Sequence, residues 1–410
     1  MHKIYLTILF ALITFFPVPA QNNNSSKIFT DSLIVTALGR VNADSIQANV
    51  MALQNMGTRF MMAPNRKEVA AWIMNKFISS GIDEVRLDSF PCSTSINWPP
   101  LVYDTVTWQY NVEARIEGTE FPEDEIVLLA HYDDVTQDFD PIIFAPGADD
   151  NASGTAATLE CARVIMDMDY QPGQTLIFLA TGAEELMYYG DAGTEHYAQK
   201  AQSAGRNIVM AINNDMVSWN DGSWTLDLLN HTLSPHITGM AINIIDNYTS
   251  LNYSSWPPEY NVGGDIQPFL NAGYHGIYFM EHNFNPNYHT YDDLVEYCDM
   301  PYLAEVTKVS LGCILHSDIT VGIQETVPAL NEMAVNPNPA TFKINFYLKC
   351  PGSSIWDMKI HNINGAEVFK GQFQAGNNTL DVSFLPEGFY MMIFSNGMEI
   401  LYQKLVISRN

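Results

Sequence analysis

The chain reads as an α/β protein with a mixed, mostly parallel sheet covered by helices on both faces, followed by a small all-β sandwich. Three observations predict this. Residues 112–116, 126–130, 175–180, 208–212 and 276–280 are near-continuous apolar runs set between helical patterns, and strands apolar at every position belong to sheets buried on both sides. The intervening segments have helical spacing: 43–56 places Ile46, Val50 and Leu53 on one face, and 66–80 places Val69, Ile73 and Phe77 there before a stop at Gly81. A third helix over 155–168 carries Ala157, Cys161, Val164, Ile165 and Met168, so Cys161 reads as core. Beyond residue 330 the pattern changes to short alternating runs at 343–347, 358–363, 379–382, 389–394 and 400–406. Turn residues interrupt them every 8–15 residues, the pattern of a small β-sandwich.

Composition bounds the function. The 410 residues include 19 Lys+Arg against 46 Asp+Glu, a formal net charge of −27, with 47% hydrophobic residues. That much apolar material excludes a disordered chain, and the charge excludes a nucleic-acid binder, whose phosphate contacts need a basic surface. The acidity is not shared evenly. Residues 331–410 hold six basic and six acidic residues, whereas 21–330 hold 12 and 40, a net −28. Residues 1–20 combine a short basic start, an apolar run and a Val18-Pro19-Ala20 end, which predicts a secretory signal cleaved before Gln21. No later run reaches the about 18 uninterrupted apolar residues of a membrane span, so the mature protein is expected to be exported without a transmembrane anchor. The expected organisation is a signal at 1–20, a catalytic domain at 21–325, a linker at 326–332 and a β-sandwich at 333–410. The five cysteines (Cys92, Cys161, Cys298, Cys313 and Cys350) form no CxxC pair, which excludes a disulfide-dense scaffold and leaves room for one bridge.

Polar clusters follow the apolar runs directly. Residues 126–130 lead into His131-Tyr132-Asp133-Asp134, 175–180 into Gly182-Ala183-Glu184-Glu185, and 208–212 into Asn213-Asn214-Asp215-Met216. A loop at Pro146-Gly147-Ala148-Asp149-Asp150-Asn151-Ala152-Ser153-Gly154 opens the third helix, and Tyr288-His289-Thr290-Tyr291-Asp292-Asp293 follows the last run. Each alone is ordinary turn, cap or surface chemistry. Five of them at strand ends in one domain point to a shared metal site, because ligands gather beyond the carboxyl ends of the strands in open α/β sheets.

The order H-x-D, P-G-A-D-D-N-A-S-G, G-A-E-E, N-x-D-M and H-T-x-x-D resembles the family of dizinc, co-catalytic aminopeptidases, which is related to bacterial leucine aminopeptidases and to glutaminyl cyclases. The likeness spans residues 43–315 and includes Gly57-Thr58-Arg59 and Asn111-Val112-Glu113-Ala114. It implies two Zn2+ per chain. Asp149 bridges both, His131 and Asp215 complete one, and Glu185 and His289 complete the other, donors that suit zinc at about 2.0–2.2 Å. It also implies that a dizinc-bound hydroxide attacks the first peptide bond with Glu184 as general base. Asp133 then orients His131, Asp293 supports the loop around His289, and the bond Asp149–Asp150 is a candidate for a cis peptide. Where relatives carry Ser-Asp-His with a nearby Tyr, this chain has Gly264-Asp265-Ile266, with Tyr260 as the candidate phenol.

The tail resembles the C-terminal sorting domain of the type IX secretion pathway of Gram-negative Bacteroidota. Asn336-Pro337-Asn338-Pro339-Ala340, Ile363-Asn364-Gly365-Ala366-Glu367-Val368, Leu385-Pro386-Glu387-Gly388-Phe389-Tyr390 and Lys404-Leu405-Val406 carry that likeness. The resemblances imply a secreted or cell-surface peptidase that acts on peptide N-termini and engages the secretion machinery through its tail. The alternatives are a glutaminyl cyclase, a dipeptide-removing enzyme or carboxypeptidase on the same scaffold, and an adhesin with a decayed site.

Overall fold

A computed structural model describes residues 32–98, 101–185, 193–232, 234–256, 263–322, 335–348, 355–362, 366–374, 376–395 and 400–409. The expected signal segment 1–20, the linker 326–332, Cys350 and Tyr260 lie outside the described residues. Two compact units are present, Met1–Ile323 and Gln324–Asn410.

In the first unit, α1 (Ala43–Gln54) starts where the Asn42 side chain accepts from the backbone N–H groups of Asp44 and Ser45. It buries Ile46, Val50 and Leu53. Helix α2 (Arg66–Ser79) buries Val69, Ile73 and Phe77 and is followed by Gly81 at φ 102°, the left-handed conformation that ends a helix. Strands β1 (Glu84–Trp98) and β2 (Leu101–Ile116) form an antiparallel hairpin. Then follow β3 (Phe121–His131), α3 (Gly154–Asp167), β4 (Gln174–Thr181), α4 (Gly193–Ser203) and β5 (Asn207–Asn214). The unit continues through β6 (Thr225–Leu229), α5 (Pro235–Tyr248), β7 (Asn252–Trp256), α6 (Ile266–Asn271), β8 (Gly276–Glu281) and α7 (Met300–Gly322).

The eight strands lie in the order β1-β2-β4-β3-β5-β8-β6-β7. The centre, β4-β3-β5-β8, is parallel throughout, while β2 meets β4 and β6 meets β8 antiparallel. Side chains alternate across the sheet as the pleat requires. Leu128, Phe178, Ile212 and Phe279 enter the core covered by α1, α2, α3, α5 and α7. Leu129, Leu179, Ala211 and Met280 enter the opposite one, covered by α4 and α6. Burial of each large apolar side chain contributes about 1.5–3 kcal/mol, and both faces are covered as the near-continuous apolar runs predicted. Cys161, Cys298 and Cys313 are free thiols, with Cys161 fully buried. No helix among the described residues is long and apolar enough to cross a membrane.

Two features exceed the sequence expectation. The β1–β2 hairpin extends far beyond residues 112–116, and β6 and β7 add an outer pair to the sheet. Of this outer pair β7 is mostly exposed, whereas β6 is buried from residue 226 to 229.

Both sheets of the second unit are antiparallel. A three-stranded sheet pairs β9 (Val335–Asn336) and β13 (Gly376–Asp381) with β10 (Lys343–Leu348). A four-stranded sheet orders β12 (Glu367–Gln374), β11 (Ile355–Asn362), β14 (Gly388–Ser395) and β15 (Ile400–Ile407). Ile344 and Phe346 from the first sheet share one core with Trp356, Met358, Met392 and Phe394 from the second. Alternating burial along β10 and β11 is the signature that the sequence displayed.

Candidate metal centre

The parallel strands β3, β4, β5 and β8 all end on the same side, and each hands the chain to a polar residue there. His131 is the last residue of β3, and Asp215 follows β5. After β4, Ala183 takes a left-handed φ of 70°, and its turn presents Glu184 and Glu185 consecutively. The Asp133 carboxylate fixes that turn by accepting from the Glu184 N–H at 3.0 Å and the Glu185 N–H at 3.3 Å.

The loop before α3 supplies the central carboxylate. Residues Ala148–Ser153 make a wide helical turn broken at Asp150 (φ −109°, ψ 96°) and Asn151 (φ −131°, ψ 48°). Gly147, at φ 46°, allows the close approach behind it. A Cβ there would lie 2.5 Å from the Asp150 carbonyl oxygen and 2.7 Å from Arg59 Nη2. The fully buried Arg59 clamps this region, donating to the carbonyls of Tyr132, Pro146 and Gly147 and pairing with Asp134 at 3.0 Å.

Two clusters with metal-ligand chemistry result, His131–Asp150–Asp215 and Asp150–Glu185–His289. Asp150 belongs to both. Its Oδ1 lies 3.3 Å from His131 Nε2 and its Oδ2 lies 3.1 Å from His289 Nε2. His131 Nε2 is also 3.2 Å from Asp215 Oδ1, and His289 Nε2 is 2.9 Å from Glu185 Oε2. The carboxylate shared by both clusters is thus Asp150, one residue after the Asp149 that the sequence reading expected to bridge. Asp149 faces away and accepts from the Ser218 N–H at 2.8 Å, the Ser218 hydroxyl at 2.7 Å and the Asn285 amide at 3.1 Å. The cis bond moves by the same step, to Asp150–Asn151.

His131 Nδ1 lies 3.1 Å from the Asp133 backbone carbonyl and 3.7 Å from Asp133 Oδ1, so Asp133 sits against the ring nitrogen turned away from the cluster, and its carboxylate holds the Glu184–Glu185 turn as well. One supporting role differs from expectation. Asp293 supports the Asp150 loop instead of His289, accepting the N–H groups of Asp149 and Asp150 at 3.0 Å each. His289 is held by Gln137, whose amide is 2.9 Å from Nδ1. Tyr278 also escaped the sequence reading: its buried hydroxyl donates to Asp215 Oδ2 at 3.0 Å. So did Glu281, buried at the end of β8 and hydrogen-bonded to Asp149. No local signal marks either one, since both lie within or beside an apolar strand.

The electrostatics ask for cations. Burial alone would lower the His289 pKa, but the carboxylates of Glu185 and Asp150 raise it to about 11. Burial likewise opposes a charge on His131, yet Asp215 and Glu184 hold its pKa well above the usual value. Burial pushes Glu185 up to about 7, against the pull of His289. Burial would also raise Asp150, but the two imidazoles keep it far below the ordinary carboxylate range. Glu184 is pushed well above its usual value, first by burial and then by Asp265 and Asp215. Glu185 Oε1 is buried with no hydrogen-bond partner among the described residues, an orphaned acceptor beside the His289 imidazole. Imidazole nitrogens and carboxylate oxygens that converge around a shared carboxylate fit a pair of zinc ions.

Residues 111–314 match the peptidase family M28, and residues 334–408 match the secretion system C-terminal sorting domain. A probable zinc metalloprotease of Leptosphaeria maculans is 28% identical over 338 residues, covering 67% of this chain and 74% of that protein. The Legionella pneumophila LapA aminopeptidase shares the fold at a TM-score of 0.58 and 18% identity, over 76% of this chain and 80% of that one. A Bacteroides thetaiotaomicron glutaminyl cyclase does so at 0.55 and 19%, over 67% and 98%. Through residues 111–314 the chain belongs to peptidase family M28, and it carries a secretion system C-terminal sorting domain over 334–408.

Proposed function

We propose that this chain is an exported aminopeptidase that binds two zinc ions and removes N-terminal residues from peptides. The observation that carries the reading is Asp150, whose two oxygens face two different histidine-containing clusters. His131, Asp150 and Asp215 would hold one ion, and Asp150, Glu185 and His289 the other. Bound zinc supplies Lewis-acid polarisation of the scissile carbonyl and makes a water more acidic. The remaining work falls to the chain.

Glu184 Oε2 lies 4.0 Å from His131 Nε2, and the side chain is 15% exposed, so it can meet both the ligand cluster and an arriving water. As general base it takes the proton from water and returns it to the leaving amine. Asp133 holds the Glu184 backbone in place, while Gln137 and Tyr278 orient His289 and Asp215. The surplus of carboxylates favours a substrate with a free, cationic α-amino group. The sorting domain supports passage through the type IX machinery to the cell surface or beyond.

Leucyl-anilide and its N-acetylated form test this reading together with zinc analysis. Cleavage of the free amine only, with close to two zincs per chain, is expected. One tight zinc, with cyclisation of a glutaminyl peptide, would overturn it in favour of a cyclase. Glu184→Gln is expected to keep its zinc and lose about 10²–10⁴-fold in kcat; unchanged kcat removes Glu184 from the proton transfer.

A further inference from the structure

Glu281 is a buried carboxyl group that the hydrolytic chemistry does not use. It closes β8 on the side of the metal centre and is 1% exposed. Each of its oxygens accepts a backbone N–H, Oε1 from Asn285 at 2.6 Å and Oε2 from Trp219 at 3.2 Å. Its side-chain partner is a second buried carboxyl group, Asp149. Two carboxyl groups share a hydrogen bond only when one of them carries a proton. The Asp149 oxygens already accept three donors, the Ser218 N–H, the Ser218 hydroxyl and the Asn285 amide. The proton therefore belongs to Glu281, which burial and the charge of Asp149 push up to about 12.

The pair lies where three ligand-bearing segments meet. Asp149 immediately precedes Asp150, Ser218 and Trp219 closely follow Asp215, and Asn285 closely precedes His289. Asn285 joins both carboxyl groups, its backbone N–H going to Glu281 and its side-chain amide to Asp149. In turn its Oδ1 accepts the Asn287 N–H at 2.9 Å, and its carbonyl accepts the Tyr288 N–H at 3.0 Å. The two residues before His289 are thus fastened to Asn285, and Asn285 to the pair. Asp215 has anchors of its own: its N–H reaches the Phe279 carbonyl at 3.2 Å, and its Oδ2 accepts from Tyr278. A fully satisfied buried network of this kind holds its members in one arrangement. Loss of Glu281 would therefore act first on the His289 side.

We infer that Glu281, as a neutral acid, is a positioning residue: through Asn285 it ties the His289 loop to the Asp149–Asp150 segment and fixes the spacing of Asp150 and His289 around one zinc ion. This rests on the two-zinc reading above. Glu281 touches neither metal ligand directly, so its effect passes through Asp149 and Asn285. An uncharged acid suits the position, because it donates to Asp149 without adding another negative charge next to Asp149 and Asp150.

The test measures zinc by stepwise chelation of the full chain, with Gln137→Leu marking the His289 ion because that amide holds the His289 ring. Glu281→Met leaves the Asn285 and Trp219 N–H groups without their acceptor. It should weaken the marked ion by about 10–100-fold while the other stays. Glu281→Gln still donates to Asp149 and accepts from Asn285, so the marked ion should weaken by less than about tenfold. Asn285→Ala breaks the same tie from the other side and should weaken the same ion, which gives the readout should Glu281→Met fail to fold. An infrared difference spectrum of zinc-loaded wild type against Glu281→Gln should show the loss of a protonated-carboxyl carbonyl stretch. Equal loss of both ions in Glu281→Met and Asn285→Ala, or no loss in either, overturns the assignment. So does a Glu281→Gln protein as weak as Glu281→Met, or a difference spectrum with carboxylate bands only. A wild-type chain that holds a single zinc instead overturns the two-zinc reading on which the assignment stands.

Discussion

Two isosteric substitutions one residue apart, Asp149→Asn and Asp150→Asn, decide which carboxylate holds the metals. Asp150 directs one oxygen at each cluster, 3.3 Å from His131 and 3.1 Å from His289. An asparagine there retains one oxygen, so one cluster loses a ligand and both lose the negative charge between them. A supporting partner alone changes metal affinity by about 10–100-fold, so loss of the bridge should exceed about 100-fold for at least one ion. Asp149 works differently. Its carboxylate accepts from the Ser218 N–H and hydroxyl and from the Asn285 amide. Asparagine can still accept from Ser218 but turns an NH2 toward the Asn285 donor, at a cost of about 1.5–3 kcal/mol for the charge-assisted bond. At about 2–4 °C per kcal/mol for a domain of this size, the melting temperature should fall by about 3–12 °C. Zinc per chain, measured after equilibration with a competing chelator, and the melting curve of each variant provide the assay. An Asp149→Asn protein stripped of zinc beside an Asp150→Asn protein that keeps two would refute the assigned register.

Gln137→Leu removes the amide that fixes His289 and is expected to weaken one zinc about 10–100-fold while the other stays; equal loss of both, read by stepwise chelation, would show that Gln137 does not act through His289. The chelated protein should lose stability as pH rises from 7 to 9. The reason is that His289 keeps its proton to about 11 when folded and loses it near 6.5 when unfolded, so the folded state binds more protons across that window. The slope should be on the order of 1 kcal/mol per pH unit and shallower with zinc bound; a pH-independent melting temperature of the chelated protein in that range would contradict it. Arg59→Met leaves Asp134 buried with its ion-pair partner gone and should cost about 3–5 kcal/mol in urea unfolding. Arg59→Lys should rescue little, because a single ammonium cannot reach three separate carbonyls and Asp134 together.

The parts of the centre that are legible in the sequence follow from one rule. An apolar strand of a doubly covered sheet must end where polar residues begin, so His131, Glu184–Glu185 and Asp215 announce themselves by standing just after buried runs. The same rule cannot choose between Asp149 and Asp150, which stand side by side in a turn. That choice depends on broken helical dihedrals at 150–151 and on Ser218 and Asn285, which claim Asp149 from elsewhere in the chain. The supporting residues were hidden for a related reason. Gln137 stands 152 residues from His289, Asp293 143 from Asp150, and Tyr278 63 from Asp215. Tyr278 looks like strand filling because its ring is exactly that, and only the phenol oxygen is functional.

Charge makes the same point at larger scale. The sequence locates the excess acidity in residues 21–330 but not what balances it. In the fold, part of that acidity is neutralised within the protein, as Arg59 meets Asp134 and Arg206 meets both Glu113 and Glu125. Among the described residues, the carboxylates of Asp150, Glu184, Glu185 and Asp215 have only His131 and His289 to pair with, and burial pushes Glu184 and Glu185 toward holding protons. Imidazoles can answer that charge only by taking protons themselves, which makes them poor ligands. Cations bound between them would remove the conflict, leaving both rings neutral and the carboxylates ionised. Part of the acidity that first excluded a polyanion partner thus lies where it would hold zinc.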